Sequence, residues 1–359
     1  MLGTTSALVA QDRARDDRLQ IALDLHLHPR HGSAFWLARQ ESLGRDLSRA
    51  VRSTSELHQL GRTVPADLRG RSVWDFVPRG LWNRRKDFVT GETGGTSGLP
   101  LPTAFTEDEF HEAFVLPFLE VASHTAFPRG EGWLFLGPSG PHLIGLAARK
   151  LARELDSPPP WFVDFDPRWA KQIASGSMAA QRYLEHVLGQ ALRCIEREEI
   201  RVVFATPPVL RGLARRLDDA RRDTIRGVHY GGLPVSPDEL NEFRLLFPHA
   251  VHLSGYGNSL FGCAMEVEDV PRKTVDYFPY GPRLIFEVLP GTVETKERRG
   301  QVVFHRFDRS MLLIGMEERD WAEPISPSAA ARSMAFSGCG LRDPGPPPAP
   351  LQRLKVGLY

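Results

Sequence analysis

Thr93-Gly-Gly-Thr-Ser-Gly-Leu-Pro100 sets three hydroxyls and three glycines side by side just after the apolar pair Phe88-Val89. Glycine lets successive N–H groups converge into a concave nest, and the hydroxyls of Thr96 and Ser97 can donate to the same anion. Such a loop suits a polyphosphate. It is not the Gly-Lys-Ser/Thr type of nucleotide loop, since no lysine follows Gly98, and its spacing is not the Gly-x-Gly-x-x-Gly of dinucleotide folds. Ordinary turns use the same residues, so its meaning depends on what surrounds it.

Downstream, from about residue 130, short apolar runs alternate with amphipathic stretches. Segments 133–136, 161–165, 202–205, 227–230 and 250–253 read as strands, and 143–155, 179–197, 207–217 and 237–246 as helices. This alternation predicts an α/β fold with parallel strands and helices on both faces, a class that binds ligands at the carboxyl ends of its strands. After Phe278 come strands without helices, at 283–288 and 301–307, with turns at Pro290-Gly291 and Arg299-Gly300. The sequence therefore divides into a helical region (1–80), an α/β core (81–278), a small β subdomain (279–342) and a tail (343–359). The start of that tail, Asp343-Pro-Gly-Pro-Pro-Pro-Ala-Pro350, is too proline-rich for helix or sheet.

Composition narrows the function classes. With 359 residues, 42% hydrophobic and 25% charged, the chain reads as globular, with enough mass for a substantial core. Lys plus Arg is 45 against 44 acidic residues, and a net charge of +1 offers no footprint for nucleic acid or an anionic membrane. No stretch reaches about 18 consecutive apolar residues. Cys194, Cys263 and Cys339 form no Cys-x-x-Cys pair, and three cannot all pair within one chain. With no cationic leader ahead of an apolar run, these features predict a reducing, cytoplasmic setting.

A competing reading comes from Asp24-Leu-His-Leu-His-Pro-Arg-His31. In a strand, Asp24, His26 and His28 would share one face, as in many metal-dependent hydrolases. That fold would need further histidines at later strand ends and repeated strand-helix units, which the first 75 residues lack. A polar turn with exposed histidines is the simpler reading.

Two more stretches follow predicted strands. Gly231-Gly-Leu-Pro234 comes after His229-Tyr230 and before a helix signalled by Ser236-Pro237, leaving bare backbone where a flat group can lie. Gly255-Tyr-Gly-Asn-Ser259 presents an aromatic ring able to stack on a base. In this order and at these separations, loop, double glycine and Tyr-Gly resemble the adenylate-forming superfamily of acyl-CoA synthetases and nonribosomal adenylation domains. Within it, the chain looks most like the phenylacetate-CoA ligase branch and its short adenylating proteins of phenazine antibiotic biosynthesis. The resemblance covers about residues 85–325.

That resemblance implies the large N-terminal domain of the adenylate-forming fold, parallel sheets flanked by helices plus a small β subdomain, with the family's small C-terminal domain absent. It implies that ATP and Mg²⁺ activate a carboxylic acid, aryl or phenazine-type, to an acyl-adenylate with release of pyrophosphate. Thr93, Gly94, Gly95, Thr96, Ser97 and Gly98 would hold the β- and γ-phosphates. Gly231 and Gly232 would flank the adenine, and Tyr256, beside Gly257, would stack on it. Asp320 would accept from both ribose hydroxyls, a task suited to an acceptor-only carboxylate. His142, in Gly137-Pro-Ser-Gly-Pro-His142, would approach the α-phosphate or else cap a helix; Ser259 completes the expected catalytic pair.

Several residues depart from the family pattern. Leu99 and Leu101 stand where its loop or flank carries a lysine, and Glu317 replaces the arginine of Tyr-Arg-x-Gly-Asp. Leu260 follows Ser259 where the family has a Mg²⁺-binding glutamate, leaving Glu266 or Glu268 as the metal carboxylate. Without the C-terminal domain and its lysine, adenylation would be slow. The acyl group would then pass to a separate acceptor: a reductase, a carrier protein, CoA or an amine. A homodimer is compatible with these features, and a nucleotide binder without catalysis is the alternative they leave open.

Overall fold

The computed structural model describes residues 2–95, 98–268, 273–290 and 298–347. Thr96 and Ser97, and the tail from 348 onward, lie outside the described residues. Phe88–Glu92 (β1) and Pro102–Thr106 (β2) pair antiparallel with Glu92 opposite Pro102, so the glycine-rich loop is a hairpin connection. Its base is pinned twice: the Thr93 N–H donates to the Leu101 carbonyl, and the Leu101 N–H donates to Thr93 Oγ1, each at 2.9 Å.

Gly132–Leu136 (β3), Trp161–Val163 (β4), Ile200–Ala205 (β5), Gly227–Tyr230 (β6), Val251–Asn258 (β7) and Gly262–Met265 (β8) form a six-stranded sheet. The order is β4-β3-β5-β6-β7-β8, parallel throughout except for β8. The helices Ile144–Glu154, Met178–Arg197, Pro207–Ala214 and Pro237–Leu246 alternate with the strands, as the sequence predicts. Alternate strand residues serve opposite faces. Trp133, Phe135, Val202 and Phe204 share a core with Phe114, Phe118 and Leu151, whereas Leu134, Leu136, Val203 and Ala205 share one with Leu188, Leu210 and Phe243. Both faces are thus covered, as a parallel sheet requires. Each large side chain so buried contributes about 1.5–3 kcal/mol.

Asp276–Tyr277 (β9), Leu284–Pro290 (β10), Gly300–Phe307 (β11), Leu312–Ile325 (β12) and Gly340–Gly345 (β13) make a second, antiparallel sheet in the order β10-β11-β12-β13-β9. This corrects two boundaries. β9 precedes residue 279, and β13 runs through Asp343 to Gly345, into the segment expected to be too proline-rich for a sheet. Pro344 is tolerated because the β12–β13 register shifts opposite it, between Trp321 and Glu323, where a regular ladder N–H is not required.

The N-terminal region is helical, as expected, and is tied to the second sheet. Leu19 and Leu23 of the helix Leu2–His26 belong to the same core as Leu312 and Ile314, and Trp36 Nε1–H donates to the Leu312 carbonyl at 3.0 Å. Arg18 reaches Glu112 at 2.7 Å and Asp308 at 3.3 Å. Asp308 is wholly buried, with Arg283 and Arg306 each at 2.6 Å. Burial alone would raise its pKa, but these guanidiniums outweigh that and hold it well below the ordinary carboxylate range.

The same packing overturns the strand reading of the histidine segment. Asp24 and His26 lie in the last turns of a helix, and Asp24 is exposed. His26 is buried, its Nδ1 3.2 Å from Ser33 Oγ and its Nε2 3.2 Å from the Asp308 carbonyl oxygen; burial drives its pKa down to about 4. Among the described residues, no group of three or more His, Cys, Asp or Glu is placed to hold a metal ion. No described helix is long and apolar enough to cross a membrane.

Candidate active site

One cavity of about 240 Å³ gathers the separated motifs. Thr93, Gly94 and Gly95 line it from the β1–β2 hairpin, and Gly231 and Gly232 from the end of β6. Gly255 to Gly262 line it from β7 and its turn, and Met316 to Asp320 from β12. The entry points after β6 and β7 are carboxyl ends of parallel strands, where the fold class predicts a ligand. The double glycine has a local cause as well. Gly232 has φ +84°, and a Cβ on Gly231 would come within 3.0 Å of the Phe204 ring.

On the β12 side, alternation turns Glu318 and Asp320 to one face and Glu317 and Arg319 to the other, more exposed one. The Tyr256 hydroxyl donates to Asp320 Oδ2 at 3.2 Å, and its ring is buried beside Phe261, Tyr277 and Phe286. Asn258 donates through Nδ2 to Glu318 Oε1. Its Oδ1 accepts from the N–H groups of Leu260 and Phe261 at 2.8 and 3.1 Å, which shapes the turn holding Ser259. Burial, with Asp320 adding like charge, raises Glu318 to about 7; burial also raises Asp320, while Arg319 and the Tyr256 hydroxyl oppose it.

The hairpin side is cationic. Lys171 Nζ donates to the Gly94 carbonyl at 3.3 Å, and Arg168 bonds Glu92 at 2.8 Å and the Thr93 carbonyl at 3.3 Å. Burial, then Arg319 and Arg168, lower Lys171 to about 8. His142 lines the cavity from the loop after β3, where the backbone meets the hairpin: the Glu92 N–H donates to the Pro141 carbonyl at 3.1 Å. Burial, and after it Arg168, lower the His142 pKa, which favours the neutral imidazole.

Of the expected site residues, Thr93, Gly94, Gly95, His142, Gly231, Gly232, Tyr256, Gly257, Ser259 and Asp320 all line this cavity. Thr96 and Ser97 lie outside the described residues, and Gly98 does not line the cavity. Glu266 is 2% exposed and does not line it either: its N–H donates to the Ser254 carbonyl beyond β8, behind the cleft. Leu260, which follows Ser259, lines the cavity too, but is 3% exposed and packs in the apolar core. Sequence reasoning missed Glu318, which lines the cavity, and Lys171, which does not line it but bonds the hairpin at Gly94. Glu318 was hidden in a run of charges, although a period-two reading of 316–320 would have paired it with Asp320; Lys171 lies 77 positions from Gly94 and carried no signal.

No protein-family model matches the sequence, and neither does any curated protein. Among solved structures, 2-hydroxyisobutyryl-CoA ligase in complex with 2-HIB-AMP and CoA, in the thioesterification state, superposes with a TM-score of 0.64 at 14% identity, over 92% of this chain and 68% of that one. An open conformation of the same ligase gives 0.63 at 14% identity, over 92% and 73%. Its postadenylation state with R3-HIB-AMP gives 0.61 at 13% identity, over 92% and 67%. At such identity the likeness is one of fold: the chain is an α/β protein that shares the architecture of 2-hydroxyisobutyryl-CoA ligase.

Proposed function

We propose that the protein uses ATP to activate a carboxylic acid as its acyl-adenylate. A carboxylate oxygen attacks the α-phosphorus, the bond from that phosphorus to the bridging oxygen breaks, and pyrophosphate leaves with the electron pair. The observation that carries this reading is the convergence of hairpin, double glycine, Tyr256 and Asp320 on one cavity. In this reading the N–H groups of Gly94 and Gly95 face the phosphates, Gly231 and Gly232 border the adenine, and Asp320 accepts from the ribose hydroxyls. Neutral His142 donates a hydrogen bond to the α-phosphate. Alignment and charge stabilisation are the chain's main contributions to such a transfer.

Mg²⁺ would enter with the phosphates, since this ion commonly rests on one or two carboxylates and otherwise on phosphate and water. Glu318 is the carboxylate that fits, because it faces the cavity whereas Glu266 does not. The ion would neutralise charge on the phosphates. Phe114, His229, Gly255 and Cys263 line the same cavity and suit an aryl or phenazine-type acid. The acyl group then passes to a separate acceptor such as CoA, a carrier protein, a reductase or an amine.

Carboxylate-dependent exchange of pyrophosphate into ATP, run with Mg²⁺ over aryl, phenazine and fatty acids, tests the reading. Exchange with one acid class is expected. ATP binding without exchange for any acid would favour a nucleotide binder of the same fold, the reading that the core position of Leu260 supports.

A further inference from the structure

A short helix, Pro167–Ala170, projects two cations onto the glycine-rich hairpin. Its start is anchored: Asp166 caps it by accepting from the N–H groups of Arg168 and Trp169, and the Asp166 N–H donates to Tyr183 Oη at 2.9 Å. Arg168 and Lys171, three positions apart, therefore fall on one side of it. Arg168 is committed to Glu92 at 2.8 Å. Lys171 bonds the backbone of Gly94 itself, and Arg319 approaches it from β12. Arg168, paired with Glu92, and Lys171 thus lie at the loop, Arg69 reaches it at Gly98, and His142 lies beside them with Asp164 and Asp166 facing that histidine.

Like charges brought together on a partly dry surface favour the binding of an anion beside them. A hydrogen bond from an ammonium to a neutral carbonyl is also weaker than one to a phosphate oxygen, so a polyphosphate entering the loop would draw Lys171 Nζ from the Gly94 carbonyl to itself. We infer that Lys171, supported by Arg319, is the residue that binds the β- and γ-phosphates of ATP and the departing pyrophosphate. The lysine comes from a different element than the loop it serves. The inference rests on the nucleotide reading above, and adds to it which side chain holds the polyphosphate.

Equilibrium titration of the full chain with ATP, pyrophosphate and AMP separates the possibilities. Lys171→Met should weaken ATP and pyrophosphate by about 10- to 100-fold and AMP by less than about 3-fold. Lys171→Arg should restore most of the affinity. Because the Lys171 ammonium of the nucleotide-free protein titrates near pH 8, wild-type affinity for ATP relative to AMP should fall as pH rises above about 8, while that of Lys171→Arg stays level. Wild-type protein that binds neither nucleotide would remove the adenylation reading and this inference together. Wild-type protein that binds ATP, with Lys171→Met binding it equally well or losing ATP and AMP alike, would leave that reading standing and overturn the lysine assignment.

Discussion

The Tyr256 hydroxyl donates to Oδ2 of Asp320 at 3.2 Å, joining β7 of the parallel sheet to β12 of the antiparallel one inside the cleft. The bond orients the carboxylate without neutralising it, so the two residues should contribute differently to nucleotide binding. Asp320→Asn is expected to weaken ATP by about 10- to 100-fold, the loss of charge-assisted hydrogen bonds, whereas Tyr256→Phe keeps the ring in place and costs less than about 10-fold. Calorimetric titration decides: equal losses in the two variants would refute this ranking.

Glu318 makes stability depend on pH. Its carboxyl is raised from 4.5 to about 7, so between those values the folded chain holds a proton that the unfolded chain has released. Stability therefore falls as pH rises through that window and levels off above it, by about 2–3 kcal/mol at most. Glu318→Gln should be more stable than wild type by about 1–3 kcal/mol at pH 8 and nearly equal to it at pH 5. Urea denaturation at both pH values measures this, and a difference that does not change with pH would count against it.

Leu260→Glu tests whether a metal carboxylate can be installed at the residue after Ser259. Leu260 is 3% exposed in the core, so the new carboxylate would be buried among apolar neighbours. A loss of about 2–5 kcal/mol is expected, with a melting temperature that Mg²⁺ does not restore. A variant as stable as wild type, or one rescued by the ion, would show that this part of the cavity wall tolerates a carboxylate.

Asp308 holds the N-terminal helix, the β1–β2 region and the second sheet through Arg18, Arg283 and Arg306. Asp308→Asn leaves buried guanidiniums without their counter-charge and should cost about 3–5 kcal/mol. Its native pKa lies below the ordinary 3.8, so its stabilisation is complete above that value and is lost as pH falls through the native one. Thermal unfolding of wild type and variant should therefore differ most near neutrality and converge in strong acid. A constant difference at every pH would point to packing instead of charge.

The strands of the first sheet were legible, though not their order, because parallel strands covered on both faces need nearly continuous apolar runs, and those of β3, β5 and β6 are visible in the sequence. β12 was not, because half of it is apolar and half carries Glu317 to Asp320, so no single period runs through it. The segment Asp24–His28 misled for a related reason. Alternating Leu and His fits a strand, but apolar positions 19 and 23 extend a helical spacing into it, and burial of those leucines beneath the second sheet decides the matter.

By itself the sequence determined the local chemistry: where glycine frees the backbone, where strands and helices alternate, and which side chains offer an aromatic face or a carboxylate. Those properties depend on residues close in the chain; the fold then brings the hairpin, the double glycine, Tyr256 and Asp320 to one cavity. Tertiary structure alone decided which charges meet. Lys171 approaches Gly94 because the short helix is anchored by Asp166 and Tyr183, and Leu260 turns into the core because Asn258 bends the chain there. Electrostatic and packing energies depend on distance in space, and these distances are set by elements far apart in sequence.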